Sequence, residues 1–157
     1  MKFNLAILAV LATAAAPAFA AGDATKGEAV FKQCQTCHAV VDGEGKKLAG
    51  AGKIGPNLYG VFGRVAGSLE GFKYGKDIIA AGTGGLIWDE AHFVEYVQNP
   101  SGFLKKQNND PAAVGKMAFK LKNAELAEDV YAYLIQFSPD AAAAAPAADP
   151  AAAVPAP

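Results

Sequence analysis

Apolar residues recur at helical spacing in separate stretches of this chain. Leu126, Val130, Tyr133, Leu134 and Phe137 fall on one face of a helix that Asn123 can cap, running to about Phe137. Ser138-Pro139 is then placed to end it. Nearer the start, Asp23 can cap a helix running to about Gln33, with Gly27 and Phe31 one turn apart. A glycine there would let another helix come close, so the first and last helices are predicted to cross. Between them, Trp88 to Val97 reads as an amphipathic helix: Asp89 is its N-cap, Trp88 can pack back on Phe93, and Phe93, Tyr96 and Val97 share a face. The segments around these read as helical too, and the fold class expected is all-α.

The two ends follow other patterns. Met1-Lys2, the apolar run Leu5 to Leu11 and the small residues ending Ala18-Phe19-Ala20 have the form of a secretory signal cleaved after Ala20, residues 1–20. The run is too short to span a bilayer, so a stable membrane anchor is not expected. Residues 140–157 are almost entirely Ala and Pro, lacking the bulky side chains a core needs, and read as a disordered tail. Residues 21–139 are left as one small domain without a visible repeat.

Charge alters the picture through its distribution more than its sum. Removing the signal takes Lys2 alone from 14 basic against 15 acidic groups, a formal net of about −2. That argues against nucleic-acid binding. Yet Lys105, Lys106, Lys116, Lys120 and Lys122 face one acid, Asp110, while every charge after Asn123 is acidic. One side of the molecule is expected to be positive and another negative.

Both cysteines fall in Cys34-Gln35-Thr36-Cys37-His38. In an exported chain that spacing admits a disulfide, part of a metal site, or covalent heme attachment. A structural zinc needs four ligands, and the remaining histidine, His92, stands alone. A thioredoxin-like dithiol would follow a strand in an alternating strand and helix pattern, which is not the pattern here. Heme c accounts for every residue of the motif: two thiols on one turn can add to two vinyl groups, and the adjacent imidazole can reach the iron. A structural disulfide beside an incidental histidine is the plain alternative.

An iron held by His38 leaves two candidates for its other face, Met117 and His92. His92 lies at the edge of the Trp88–Val97 helix, where a solvated histidine is the simpler reading. Met117 sits in an irregular stretch rich in Gly, Asn, Asp and Pro, where a loop can present it, and is the favoured ligand. A thioether favours ferrous iron and would raise the reduction potential.

Several segments in order resemble class I cytochrome c, and within it the bacterial cytochrome c2 type close to mitochondrial cytochrome c. They are Gly27 and Phe31; Cys34 to His38; Gly55-Pro56-Asn57-Leu58-Tyr59-Gly60-Val61-Phe62-Gly63-Arg64; Gly71-Phe72-Lys73-Tyr74; Trp88; Tyr96-Val97-Gln98-Asn99-Pro100; Lys116-Met117-Ala118-Phe119; and Glu128 to Leu134. The resemblance runs from about Gly22 to Ser138. It implies the class I cytochrome c fold, helices wrapped around one heme c attached through Cys34 and Cys37, with His38 and Met117 as iron ligands. It also implies that the Pro56 carbonyl accepts from the proximal imidazole, that Arg64, Tyr74 and Trp88 hold a heme propionate, and that Tyr96 hydrogen-bonds the Met117 sulfur.

Relative to the mitochondrial pattern, the segment between Pro100 and Met117 is longer, Gly115 replaces a hydroxyl residue, and Ile78 stands in place of an asparagine. These departures touch the tuning of the site rather than its ligands.

An iron closed on both faces, with one heme edge exposed, passes electrons but offers no empty position to dioxygen or peroxide. An electron carrier is therefore expected rather than an enzyme, in the periplasm and as a monomer. By resemblance its donor would be a cytochrome bc complex, and its acceptor a terminal oxidase such as cytochrome c oxidase or a photosynthetic reaction centre. The lysines flanking Met117, with Lys32 and Lys53, are expected to surround the exposed edge and steer an acidic partner to it.

Overall fold

The computed structural model describes residues 22–144. The expected signal 1–20 and most of the expected tail lie outside them. The fold is built mainly of helices: α1 (Ala24–Phe31), α2 (Lys76–Thr83), α3 (Glu90–Gln98), α4 (Pro100–Gln107), α5 (Ala124–Leu134) and α6 (Pro139–Ala144). A single two-stranded hairpin, β1 (Ala39–Val41) and β2 (Lys47–Gly50), accompanies them among the described residues.

The caps fall where the sequence puts them. Asp23 accepts from Thr25 N at 2.8 Å and Lys26 N at 3.1 Å, Asp89 from His92 N at 2.8 Å, and Asn123 from Leu126 N at 3.0 Å. Each satisfies amides that a first helical turn leaves without a carbonyl. α1 stops at Phe31, short of the expected Gln33, because tighter turns take over: Gln33 N donates to Val30 O, Cys34 N to Phe31 O and Cys37 N to Cys34 O. α5 likewise tightens into a 3-10 turn over Ile135–Phe137.

The predicted crossing of the terminal helices is present. A Cβ on Gly27 would fall on the Asp129 carbonyl and lie 2.9 Å from Tyr133 Cβ, so α1 and α5 touch backbone to backbone. Phe31 packs beside Tyr133, ring centroids 5.4 Å apart, and the Asp129 carboxylate accepts from Asp23 N at 2.7 Å. A larger residue at position 27 would force the helices apart.

Two expectations change. The chain after the cysteine motif is a hairpin, not helix: Val40 is buried, and the Asp42 carboxylate accepts from Glu44 N and Lys46 N to close the turn. Ser138-Pro139 does end α5, but Pro139 then opens α6, the first helical position being one where a missing N–H costs nothing. Residues 140–144 are thus helical, and Ala141 packs on the core.

The core is a shell rather than a plug. Phe62 meets Phe93 and Tyr131, centroids 5.3 and 4.5 Å away, while Trp88, Tyr96 and Phe103 pack edge and face on another side. These layers surround a large cavity.

Candidate functional site

The cavity has a volume of about 720 Å³, within the range of roughly 300–1,000 Å³ seen for sites that enclose a whole organic ligand. Its walls are largely apolar, with Leu58, Val61, Ile78, Phe93, Val97, Leu104 and Leu134 among them. All the site residues expected from the sequence line it: Cys34, Cys37, His38, Pro56, Arg64, Tyr74, Trp88, Tyr96 and Met117.

The tight turns after α1 present Cys34, Cys37 and His38 together. Both cysteines are free. Burial, and then the neighbouring Cys37, pushes the Cys34 thiol up to about 11, so it is held as a neutral thiol. His38 Nδ1 lies 2.9 Å from the Pro56 carbonyl. With Nδ1–H donating there, Nε2 is left as the lone-pair nitrogen. Burial lowers the His38 pKa, the Pro56 hydrogen bond opposing it, which favours the neutral imidazole a metal requires. Gly55 makes this approach possible, since a Cβ there would collide with the imidazole ring. The 52–55 loop is laced to the cysteine turn by Gly52 N to Gln35 O at 3.0 Å and Gly55 N to Cys37 O at 2.8 Å.

Arg64 and Trp88 are brought side by side by an antiparallel pairing: Trp88 N donates to Arg64 O at 3.0 Å and Gly63 N to Trp88 O at 2.8 Å. The Arg64 guanidinium is fixed by the carbonyls of Tyr59 at 2.7 Å, Gly60 at 3.1 Å and Asn57 at 3.3 Å. Of its five N–H donors, two then remain for other partners, Tyr74 among them. Burial lowers its pKa, which nearby Tyr74 opposes. Tyr96 packs on Trp88 with centroids 5.0 Å apart, and burial, then the charge of Tyr74, pushes its phenol up to about 12.

His92 is outside the cavity. Its Nδ1 sits 3.0 Å from both the Asp89 carboxylate and the Ile87 carbonyl, at the start of α3. Of the lysines expected around the opening, only Lys116 lines the cavity, where Lys73 joins it. Lys106 instead pairs with Glu95 on α3 at 2.9 Å. Of the cluster, Lys105 and Lys106 lie in the last turn of α4, where successive residues point in different directions, and Lys116, Lys120 and Lys122 lie on the irregular segment beyond it.

Some residues of the site were not readable as such. Asn57 clamps the hairpin to the Pro56 loop, accepting from Val41 N at 2.9 Å and donating to Val41 O at 2.6 Å. It stands in a motif already noted, but its partner lies 16 residues away. Asp77, next to the wall residue Ile78, is a buried carboxylate that accepts from Val114 N.

Two thiols, a neutral imidazole held by a carbonyl, a thioether and an anchored guanidinium, set in apolar walls, fit a flat hydrophobic macrocycle bearing an iron and carboxylates. The residues present therefore suit heme c.

No protein-family model matches the sequence. Among curated proteins it is similar to a cytochrome c2 of Cereibacter sphaeroides, 52% identical over 140 residues, covering 87% of this chain and 97% of that one. It is also similar to a cytochrome c-550 of Paracoccus versutus, 46% identical over 151 residues, covering 94% and 97%. Among solved structures, a cytochrome c2 from Rhodobacter sphaeroides superposes with a TM-score of 0.73 at 52% identity, over 74% of this chain and 97% of the other.

Proposed function

Since the chain belongs to the cytochrome c2 family of bacterial class I cytochromes c, electron carriers rather than enzymes, we propose that it shuttles single electrons through one heme c, ligated by His38 and Met117 and attached through thioethers to Cys34 and Cys37. The observation that carries this reading is the meeting of all four residues on one apolar cavity.

When bound, the heme would supply a reversible one-electron iron couple in a site with no vacant coordination position. The chain's own residues do the rest. Cys34 and Cys37 tether one edge. His38, oriented by Pro56, gives a nitrogen of fixed tautomer, and its bond to a carbonyl strengthens that nitrogen as a donor. Arg64, Tyr74 and Trp88 offer N–H and O–H donors to a buried propionate, whose charge would otherwise be costly to enclose. Tyr96, which lines the same cavity as Met117, would donate a hydrogen bond to its sulfur. The apolar walls exclude water and thereby tune the potential.

The proposed setting is the periplasm, after removal of a signal at Ala20, with a cytochrome bc complex as donor and a terminal oxidase or photosynthetic reaction centre as acceptor. Lys73 and Lys116 at the cavity mouth support docking of an acidic partner there. Among the described residues no helix is long and apolar enough to cross a membrane.

Intact-mass and optical measurements on the purified protein test the site. One covalent heme is expected, lost from the Cys34→Ala/Cys37→Ala variant, together with a long-wavelength sulfur-to-iron band in the oxidised form that Met117→Leu abolishes. A colourless protein with two alkylatable thiols would overturn the proposal, and a Met117→Leu spectrum identical to that of the unaltered chain would remove Met117 from the iron.

A further inference from the structure

Residues 108–122, which carry Met117, form no regular element before α5 begins at Ala124. Without a ladder of backbone bonds, such a stretch is placed by a few specific contacts. On its C-terminal side the anchor is Leu121, buried, whose N–H donates to Val97 O at 2.9 Å. Its N-terminal side contains the segment that is long relative to the mitochondrial pattern, and there the contacts converge on α2.

Asp77, in the first turn of α2, is 6% exposed. Its Oδ2 accepts from Val114 N at 3.1 Å, and its backbone carbonyl accepts from Asn108 Nδ2 at 2.8 Å. One residue thus holds both ends of the 108–114 stretch. Between them Asp110 closes a turn through Ala112 N at 2.8 Å, seating Ala113 in the core. Gly115 N then donates to Ser101 Oγ at 3.0 Å. Asp77 is followed by Ile78, which lines the cavity, so α2 supplies a wall of the site and the dock for its methionine loop.

We propose that Asp77 is a positioning residue: by docking the 108–114 segment on α2 it holds Met117 at the cavity, in competition with any external ligand. The inference rests on Met117 being the iron ligand as proposed above. A hydrogen bond to a buried carboxylate is among the stronger ones, and its loss leaves the Val114 amide without its partner. An external ligand can reach the iron only when the methionine loop moves away, so a loosened loop raises the apparent affinity for that ligand.

The test uses the full-length, heme-loaded protein with Asp77→Ala and Asp77→Asn. In Asp77→Ala the Val114 amide is expected to exchange with solvent deuterium about tenfold faster or more, with Leu121 nearly unchanged, and cyanide to bind the oxidised protein about tenfold more tightly. Asp77→Asn keeps an acceptor oxygen for Val114 and should recover most of both changes. Unaltered exchange and cyanide affinity in Asp77→Ala would overturn the proposal, as would acceleration of all amides alike, which marks general destabilisation. If the unaltered protein lacks the sulfur-to-iron band while Val114 still accelerates selectively, the docking role stands and the assignment of Met117 to the iron falls.

Discussion

Tyr96 shows how a single side chain in the cavity wall couples to pH. Burial holds its phenol protonated up to about 12 in the folded protein, whereas an exposed tyrosine ionises near 10. Between those values the unfolded chain binds fewer protons than the folded one, so stability falls as pH rises through that window and is complete below it. Urea unfolding of the unaltered protein and Tyr96→Phe from pH 9 to 12 isolates the effect. The advantage of the unaltered protein over Tyr96→Phe should shrink with rising pH, and a constant difference would show that Tyr96 does not contribute it. That Cys34, Cys37, His38 and the wall residues meet at one cavity was legible because a short motif fixes the first three, and the order of aromatic and glycine markers places the others. Asn57 and Asp77 were not, since each acts through a backbone group brought near only by the fold, Val41 for one and Val114 for the other. A polar residue carries no sign in the sequence of which distant amide it will meet.

At the scale of elements, caps were the most readable feature and short strands the least. Asp23, Asp89 and Asn123 stand before helical apolar patterns, so local chemistry and tertiary structure agree. β1 has three residues, too few for a two-residue alternation to declare itself, although Val40-Val41 followed by Asp42-Gly43-Glu44-Gly45 carries β-branched and turn chemistry. The spacing runs past the end of α5 because a 3-10 turn continues it with different hydrogen bonds. The α1–α5 crossing separates local from tertiary contributions. Asp23→Ala should cost about 1 kcal/mol through the lost cap. Gly27→Ala, whose methyl would meet the Asp129 carbonyl, should cost about 1–3 kcal/mol or more despite alanine's better helix propensity. Denaturant unfolding of both variants checks the order, and a stabilised Gly27→Ala would contradict the close approach.

Seen whole, the protein is a thin shell around a space its own side chains do not fill. A largely apolar cavity of about 720 Å³ leaves much of the core surface to be covered by something other than the chain's own side chains. The shell must therefore be filled, flooded or collapsed. Full-length Cys34→Ala/Cys37→Ala protein freed of loosely bound heme is expected to lose its near-ultraviolet circular dichroism and its sharp thermal transition. A retained cooperative transition would mean that the polypeptide supports itself. The all-α expectation reached the correct architecture, apart from the hairpin, because the helical faces are long enough to read. Lys106 pairs with Glu95 while Lys116 lines the cavity, a division that sequence clustering did not settle.

The hydrogen bond from Asp23 N to the Asp129 carboxylate joins positions 106 residues apart. Closing so long a loop delays that pairing relative to local structure. Wherever the polypeptide folds, its opening helix has no seat until nearly the last one is present. A chain that stopped ahead of α5 would leave α1 without the surface it packs on.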